Sequence, residues 1–242
     1  MYDRAQFLTA GDRALVVEYG DTIDQATNRR ARTLAAALLS QPVDGLLEVV
    51  PTYRSVLIHY DPLRLPKPAL ERVVLDVERY LADVALPAPR VIEVPVVYGG
   101  QYGPDLQDVA ALSGLPPDEV VAIHCGQDYL VYMMGFMAGF PYLGGLSPRI
   151  SVPRLASPRT KVPTGSVAVA LEQTGIYPTE TPGGWRLIGW TPVRVFDATR
   201  EPPVFFEAGD YIRFIPVSEE QALVLGARVL DGTWAPTVRP RG

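Results

Sequence analysis

Residues 129–192 read YLVYMMGFMAGFPYLGGLSPRISVPRLASPRTKVPTGSVAVALEQTGIYPTETPGGWRLIGWTP, and we call them the glycine-rich segment. Glycine and proline recur too often for a helix, because glycine loses backbone entropy there and proline removes a hydrogen bond. Short apolar and aromatic runs lie between them, at 129–134, 166–171 and 185–190. Short strands separated by Gly/Pro turns are typical of a β-barrel or sandwich, so the segment predicts a β domain.

The charge of this region differs from that of the whole chain. Residues 129–194 hold six Arg and Lys against two Glu, a net charge of +4, whereas the whole chain carries −5, so the rest carries −9. A basic surface on an acidic protein indicates an anionic ligand or an acidic partner. The acidic total and the absence of a long Lys/Arg run argue against nucleic acid.

Composition restricts the class of protein further. The 242 residues are 48% hydrophobic and 20% charged, which is enough to bury a core in one or two domains. The sequence has no run of about 18 apolar residues, so we expect no membrane helix. The first residues, MYDRAQFLTAGDR, lack the apolar core of a signal peptide, so we expect a cytoplasmic protein. Cys125 is the single cysteine, which excludes an internal disulfide and a multi-cysteine metal site, and we expect no metal.

Residues 1–87 predict a small α+β domain with the order ββαββα. A strand at 14–19 precedes a helix whose N-cap is Asp24, and β-rich runs at 46–50 and 56–60 predict a hairpin. An apolar stripe from Leu70 to Val84 predicts a second helix. Helices on one face of an antiparallel sheet suit this order.

The stretch 86–89, Leu-Pro-Ala-Pro, is the best linker candidate, because two prolines cannot continue a helix. Residues 88–230 then predict a strand-rich barrel domain with one helical interlude at 104–124. We expect further strands at 193–196 and 211–217, without another helix. We expect the tail, residues 231–242, to be loosely ordered.

The glycine-rich segment resembles a family whose members are variously called KipI-like, allophanate hydrolase subunit 1 and the B-subunit of 5-oxoprolinase. The resemblance rests on Tyr132-x-x-Gly135-Phe136-x-x-Gly139-Phe140-Pro141-Tyr142-Leu143-Gly144-Gly145-Leu146, Pro158-Arg159-x-x-Val162-Pro163-x-Gly165-Ser166-Val167-Ala168, Gln173-Thr174-Gly175-Ile176-Tyr177-Pro178, Pro182-Gly183-Gly184-Trp185 and Leu187-Ile188-Gly189-x-Thr191-Pro192. It extends to Glu48-Val49-Val50-Pro51-x-Tyr53-Arg54-Ser55 near the N-terminus. One departure is Trp190, which stands where the family often has arginine.

This resemblance implies a fold and a function. The fold is a small ferredoxin-like α+β domain followed by a cyclophilin-like β-barrel. The function is that of one subunit of an ATP-dependent 5-oxoprolinase, which opens 5-oxo-L-proline to L-glutamate. The implied partners are a homologous second barrel subunit and a TIM-barrel-like subunit. Two alternatives remain: a regulatory protein that inhibits a sensor histidine kinase, and a component related to allophanate hydrolysis or urea carboxylation.

Lactam opening assigns candidate roles to polar residues of this region. Arg159, Lys161 and Arg186 are candidates for binding phosphate or substrate, because cations stabilise developing phosphate charge. Thr174 and Tyr177 are further binding candidates. The catalytic candidates are Gln173 as an oxyanion donor, Glu172 as a base, and His124, whose pKa would suit a general base at neutral pH. For His124, a structural place at the helix C-terminus is an equal alternative.

The aromatic residues Phe136, Phe140, Tyr142 and Trp185 are candidates for a pocket wall or a subunit interface, although core packing is the simpler interpretation. The chain contains no G-x-x-x-x-G-K-[ST] phosphate loop and no G-x-G-x-x-G that opens a helix after a strand. These absences argue against a self-sufficient ATPase. We therefore expect an incomplete enzyme that shares ATP with its partners and is inactive alone.

Overall fold

The computed structural model describes residues 1–241, and the chain divides into two compact units. The first spans Met1–Ala88 and the second begins at Pro89. The division falls at the proline-rich stretch 86–89, where the chain is not helical. The α+β class predicted from the sequence is confirmed.

The first unit is a four-stranded antiparallel sheet with two helices. Its elements are β1 (Gln6–Thr9), β2 (Ala14–Glu18), α1 (Gln25–Leu39), β3 (Leu46–Pro51), β4 (Ser55–Tyr60) and α2 (Lys67–Glu78). The strand order is β1-β2-β4-β3, with every neighbouring pair antiparallel. This is a variant of the ferredoxin-like βαββαβ arrangement in which one edge strand comes first in the chain.

Local sequence explains most of this unit. The predicted N-cap is confirmed, because Asp24 accepts a hydrogen bond from the Thr27 N–H at 2.8 Å. Apolar residues of α1, Ala31, Leu34 and Leu38, are buried against the sheet. Helix α2 ends at Glu78, earlier than predicted, and a 3₁₀ turn at Leu81–Asp83 follows it. Short 3₁₀ pieces are common where helices end.

The second unit is a closed β-barrel with three helices. Its strands are β5 (Arg90–Tyr98), β6 (Asp128–Met134), β7 (Pro141–Gly144), β8 (Arg159–Val162), β9 (Ser166–Ala170), β10 (Gln173–Ile176), β11 (Thr181–Gly183), β12 (Arg186–Trp190), β13 (Tyr211–Pro216) and β14 (Val238–Pro240). Its helices are α3 (Leu106–Ser113), α4 (Pro117–Cys125) and α5 (Glu219–Leu230).

Seven strands close the barrel in the order β12-β9-β10-β7-β6-β13-β5, and β5 pairs with β12 through Tyr98 and Gly189. Every pair is antiparallel except β13 with β5, which is parallel. Closure leaves no free sheet edge among these seven strands. Inward-facing residues such as Val94, Val131, Val169 and Phe214 form one buried core.

Three local predictions for this unit are wrong. Residues 193–196 form no strand; Phe196 makes an isolated bridge to Val204. Helix α5 was not predicted, although Ser218 and Gln221 form a capping box that signals its start. Residues 238–240, expected to be loosely ordered, form β14, which pairs with β5.

Candidate functional site

Two clefts lie beside a ribbon formed by β8 and β11, the two-stranded sheet in which Arg159 is paired with Gly183. The first, which we call the Arg159 cleft, is lined by residues of β8, and the second, the Trp185 cleft, by residues of β11 and the turn after it. The Trp185 cleft is therefore built from the glycine-rich segment, and the Arg159 cleft is built from that segment together with Gln101, Tyr102 and Pro104.

The Arg159 cleft has a volume of about 360 Å³. It is lined by Gln101, Tyr102, Pro104, Arg159, Lys161, Pro163, Ser166, Leu187 and Trp190. The rings of Tyr102 and Trp190 stack with centroids 5.3 Å apart, and Trp190 Nε1 donates to the Thr164 carbonyl at 2.9 Å. Gly165 makes this close approach possible: its φ is +83°, and a Cβ there would lie 2.7 Å from Trp190 Nε1.

Asp105 connects this cleft to the barrel wall. Its Oδ1 accepts a hydrogen bond from Arg159 Nη2 at 2.6 Å, and its Oδ2 accepts from the Leu187 N–H at 2.7 Å. The Asp105 N–H donates in turn to the Leu187 carbonyl at 2.9 Å. The Asp105 side chain is 6% exposed and that of Arg159 is 29% exposed. Asp105 therefore holds Arg159 against β12.

The other predicted cations are also paired. Lys161 Nζ lies 2.9 Å from Glu180, and Arg186 contacts Asp108 and donates to the Pro153 carbonyl at 3.1 Å. Arg149 pairs with Glu119. Asp105, Asp108 and Glu119, which lie outside residues 129–194, thus offset three of the four surplus charges, whereas Glu180 was already included in that count. The basic surface inferred from the sequence is therefore mostly neutralised in the fold, and Arg159 is paired with Asp105 rather than free.

His124 lies inside the barrel unit, where it is 0% exposed. Its Nε2 is 2.9 Å from Thr174 Oγ1, which itself donates to the Ala168 carbonyl at 2.9 Å. Thr174 therefore accepts from His124, and His124 Nδ1 accepts from the Tyr98 hydroxyl at 2.7 Å. The ring also stacks on Phe214 at 4.6 Å.

Burial lowers the pKa of His124 to about 3. A histidine that is neutral and inaccessible to solvent cannot exchange protons with a substrate at the surface. The geometry therefore supports the structural alternative for His124 and not a general-base role, and Thr174 is buried beside it.

Glu172 and Gln173 lie at the turn end of the β9–β10 hairpin, where Gln173 pairs with Ala170. Ser166, which lines the Arg159 cleft, is at the other end of β9. Strands rise about 3.3 Å per residue, so these two ends are about 13 Å apart. Of the predicted polar site residues, the structure brings only Arg159 and Lys161 into one cleft.

The Trp185 cleft has a volume of about 260 Å³ and is largely aromatic. It is lined by Phe136, Phe140, Tyr142, Arg154, Pro158, Tyr177, Pro182, Gly183, Gly184 and Trp185. Phe140 lies at its base, with edge contacts to four rings at centroid distances of 5.0–5.7 Å, those of Phe136, Tyr142, Tyr177 and Trp185. Phe140, Tyr177 and Trp185 are buried, whereas Phe136 is 63% exposed. These aromatic candidates therefore both fill a small core and wall a pocket.

Sequence reasoning missed Asp105, Tyr102 and Arg154 as residues of these clefts. Asp105 precedes α3 and has the pattern of an N-cap, yet its side chain makes no cap hydrogen bond. Its real partners are 54 and 82 residues away in the sequence, so no local pattern reports them.

Two classes of site find no support. Within residues 1–241, no group of three or more His, Cys, Asp or Glu could hold a metal ion. In the same part of the chain, no helix is long and apolar enough to cross a membrane.

Comparison with known proteins defines the class. The family described as carboxyltransferase domain, subdomain C and D, matches residues 5–206. The chain is 42% identical over 228 residues to the B-subunit of 5-oxoprolinase from Bacillus subtilis, a match that covers 90% of this chain and 95% of that protein. The chain therefore belongs to the carboxyltransferase C/D family, in the group that includes proteins named as the B-subunit of 5-oxoprolinase. The resemblance found in the sequence is confirmed.

Solved structures support the same fold. The crystal structure of TTHA0988 is 41% identical with a TM-score of 0.76, and the match covers 85% of this chain and 40% of that one. The chain thus spans about two fifths of that longer relative. The urea amidolyase of K. lactis is 21% identical and superposes with a TM-score of 0.79 over 98% of this chain and 16% of its own, which shows a common fold alone.

Proposed function

We propose that this chain is the B-subunit of an ATP-dependent 5-oxoprolinase, a complex that opens the lactam of 5-oxo-L-proline to give L-glutamate. The observation that carries the proposal is the 42% identity to the B. subtilis B-subunit over nearly the full length of both proteins. We place the complex in the cytoplasm, where ATP is available. Its other members would be a homologous second barrel subunit and a TIM-barrel-like subunit.

The charges of the Arg159 cleft support a shared rather than a complete site. Arg159 and Lys161 are the cations that line it, and Asp105 and Glu180 offset both. A triphosphate carries several negative charges that need cations around them. One subunit supplies too few, so the remaining positive charge must come from a partner.

Arg159 Nη1 has no hydrogen-bond partner among the described residues, and an anionic oxygen could pair with it once the side chains that bury it move aside. Such a buried donor is costly to leave unpaired. Arg159 and Lys161 would therefore hold a phosphate oxygen at the edge of the shared site. ATP would supply the phosphoryl group that makes the lactam carbonyl reactive towards water. Arg159 and Lys161 would bind and orient the phosphate.

Activity is the direct test of this proposal. The purified chain alone should show no ATP-dependent release of glutamate from 5-oxo-L-proline, because its charged cleft is neutralised and incomplete. Addition of both partner subunits should restore turnover. Turnover by the single chain after stringent purification would contradict the shared site, and no turnover by the three-subunit mixture would contradict the proposed function.

A second prediction concerns assembly. Leu223, Val224 and Leu230 of α5 are 60–71% exposed. An exposed apolar patch of this kind often marks a protein–protein interface. We expect co-expression with the second barrel subunit to give a stable complex, seen by light scattering. Leu223→Glu should weaken it by about tenfold or more, since burying a charge at an interface costs more than about 1.4 kcal/mol. Leu63→Glu, at a 93% exposed leucine of the first unit, is the matched control. A complex that Leu223→Glu leaves as stable as the wild type would place the interface elsewhere.

A further inference from the structure

Arg154 differs from the other cations of the glycine-rich segment. Arg149, Arg159, Lys161 and Arg186 each pair with a carboxylate, whereas Arg154 has no carboxylate partner among the described residues. Its guanidinium lies 6.0 Å from the centroid of the Trp185 ring, at the rim of the Trp185 cleft. A cation over an aromatic face is held in place while its N–H donors remain available.

The cleft beneath Arg154 is apolar and small. No acidic side chain lines it, and Phe140 and Trp185 form its buried wall. Its volume of about 260 Å³ is smaller than the roughly 300–1,000 Å³ typical of drug-sized ligands, so it suits a compact metabolite. The cleft therefore combines one unpaired positive charge with flat hydrophobic surface.

Phe136 lines the cleft and has an unusual backbone conformation. Its φ is +66°, in a region that bulky residues rarely adopt because it strains the backbone. Two hydrogen bonds fix the turn 135–140. The Met137 N–H donates to the Gly135 carbonyl at 2.7 Å, and the Gly135 N–H donates to the Phe140 carbonyl. Backbone strain at an exposed aromatic residue that lines a cavity is found at ligand clamps.

Two phenols complete the polar part. Burial raises the pKa of Tyr142 and of Tyr177, and the nearby charge of Arg154 partly opposes both shifts. Both hydroxyls therefore stay protonated at neutral pH and lie close enough to Arg154 to feel its charge. A protonated phenol can donate a hydrogen bond to an anionic oxygen.

We infer that the Trp185 cleft is a binding site for a small ring-bearing carboxylate, with Arg154 holding the carboxylate and Phe136, Phe140 and Trp185 covering the ring. A phosphate ligand fits less well, because the cleft offers a single unpaired cation within aromatic walls. The naming of 5-oxo-L-proline as the physiological ligand rests on the proposed function. With that assignment the two substrates bind in different clefts. 5-Oxo-L-proline binds in the Trp185 cleft, and the phosphate of ATP binds at the Arg159 cleft.

The test uses the three-subunit complex and the variant Arg154→Met, which keeps an apolar stem over Trp185 but removes the charge. We expect the KM for 5-oxo-L-proline to rise by about tenfold or more, the scale of losing a hydrogen bond to a charged group, with the KM for ATP unchanged. Arg154→Lys should recover part of the loss. Arg149→Met, which removes a paired and exposed arginine outside the cleft, is the matched control.

Direct binding distinguishes failure of this inference from failure of the proposed function. Equilibrium dialysis of labelled 5-oxo-L-proline against the complex should show binding that Arg154→Met weakens and that 2-pyrrolidinone, the same lactam without the carboxylate, does not displace. Ligand binding without turnover would contradict the proposed function but would still support the binding site. Unchanged binding and KM in a natively folded Arg154→Met complex would overturn the inference.

Discussion

Asp105→Ala is expected to lower the free energy of unfolding of the barrel unit by about 3 kcal/mol, the scale of breaking a buried ion pair from one side. The variant removes the acceptor of both Arg159 and the Leu187 N–H, at 2.6 and 2.7 Å. It leaves the Arg159 guanidinium half-buried with Nη1 already unpaired. Urea titration followed by tryptophan fluorescence measures this unit alone, because Trp185, Trp190 and Trp234 all lie beyond Pro89.

Asp108→Ala is the matched control, since Asp108 is in α3, which Asp105 immediately precedes, pairs with Arg186 at 3.4 Å and is 65% exposed. Asp108 is largely exposed and Arg186 keeps its hydrogen bond to the Pro153 carbonyl, so we expect this variant to lose about 1 kcal/mol or less. Combining Asp105→Ala with Arg159→Met should cost less than the sum of the two changes. Additive losses would show that Asp105 and Arg159 act independently.

This expectation revises how Arg159 variants are interpreted. A loss of activity in Arg159→Ala would have two causes, the changed site and a less stable barrel, because the side chain is part of a buried ion pair. Lys161→Met is cleaner, since Lys161 and Glu180 are 69% and 53% exposed. A binding role at the Arg159 cleft is therefore best measured through Lys161, with stability as the control.

Patterns confined to a few neighbouring residues predicted the fold well. The N-cap at Asp24 and the strands at 129–134 and 166–171 depend on local backbone chemistry, and each appears close to its predicted place. The Gly/Pro punctuation of short apolar runs predicted a barrel or a sandwich, and the family resemblance implied the barrel that the seven strands form. The capping box at Ser218 and Gln221 is a local pattern of the same kind, and it would have predicted α5.

Electrostatic partners could not be predicted in this way. The charge of a segment says nothing about which carboxylates fold against it, and Asp105 meets Arg159 across 54 residues of sequence. Residue position along a strand matters as well, because Gln173 and Ser166 belong to one hairpin yet lie at opposite ends of it. The pairing of Asp105 with Arg159 and the separation of Gln173 from Ser166 both depend on how the strands assemble in three dimensions. No short sequence motif encodes that assembly.

His124 shows the same limit, because the end of a helix is exposed in some folds and buried in others. In this fold α4 packs on β13, and its last turn directs the ring between Tyr98, Thr174 and Phe214. The apolar neighbours Val120, Val121 and Ile123 were a signal for burial. A helix with apolar residues on several sides is more often buried than exposed.

The buried ring of His124 should make the stability of the barrel unit fall as the pH is lowered. In the folded protein burial holds the pKa of His124 at about 3, against 6.5 in the unfolded chain. Below pH 6.5 the unfolded chain therefore binds a proton that the folded protein does not bind. The free energy of unfolding should then decrease by about 1.4 kcal/mol for each pH unit, and His124 should contribute almost no pH dependence above about pH 7.

Urea titrations at about pH 7 and pH 5, read by tryptophan fluorescence, isolate this effect, because the carboxylates remain largely ionised at about pH 5. The wild type should lose about 2 kcal/mol between the two values through His124 alone. His124→Gln should be less stable at neutral pH, having lost the contacts with Tyr98 and Thr174, yet should lose much less on acidification. His59→Gln, which removes the other histidine, in β4 of the first unit, should keep the wild-type difference. If wild type and His124→Gln lose the same free energy on acidification, His124 is already protonated or exposed in the folded protein, and its general-base role would need to be considered again.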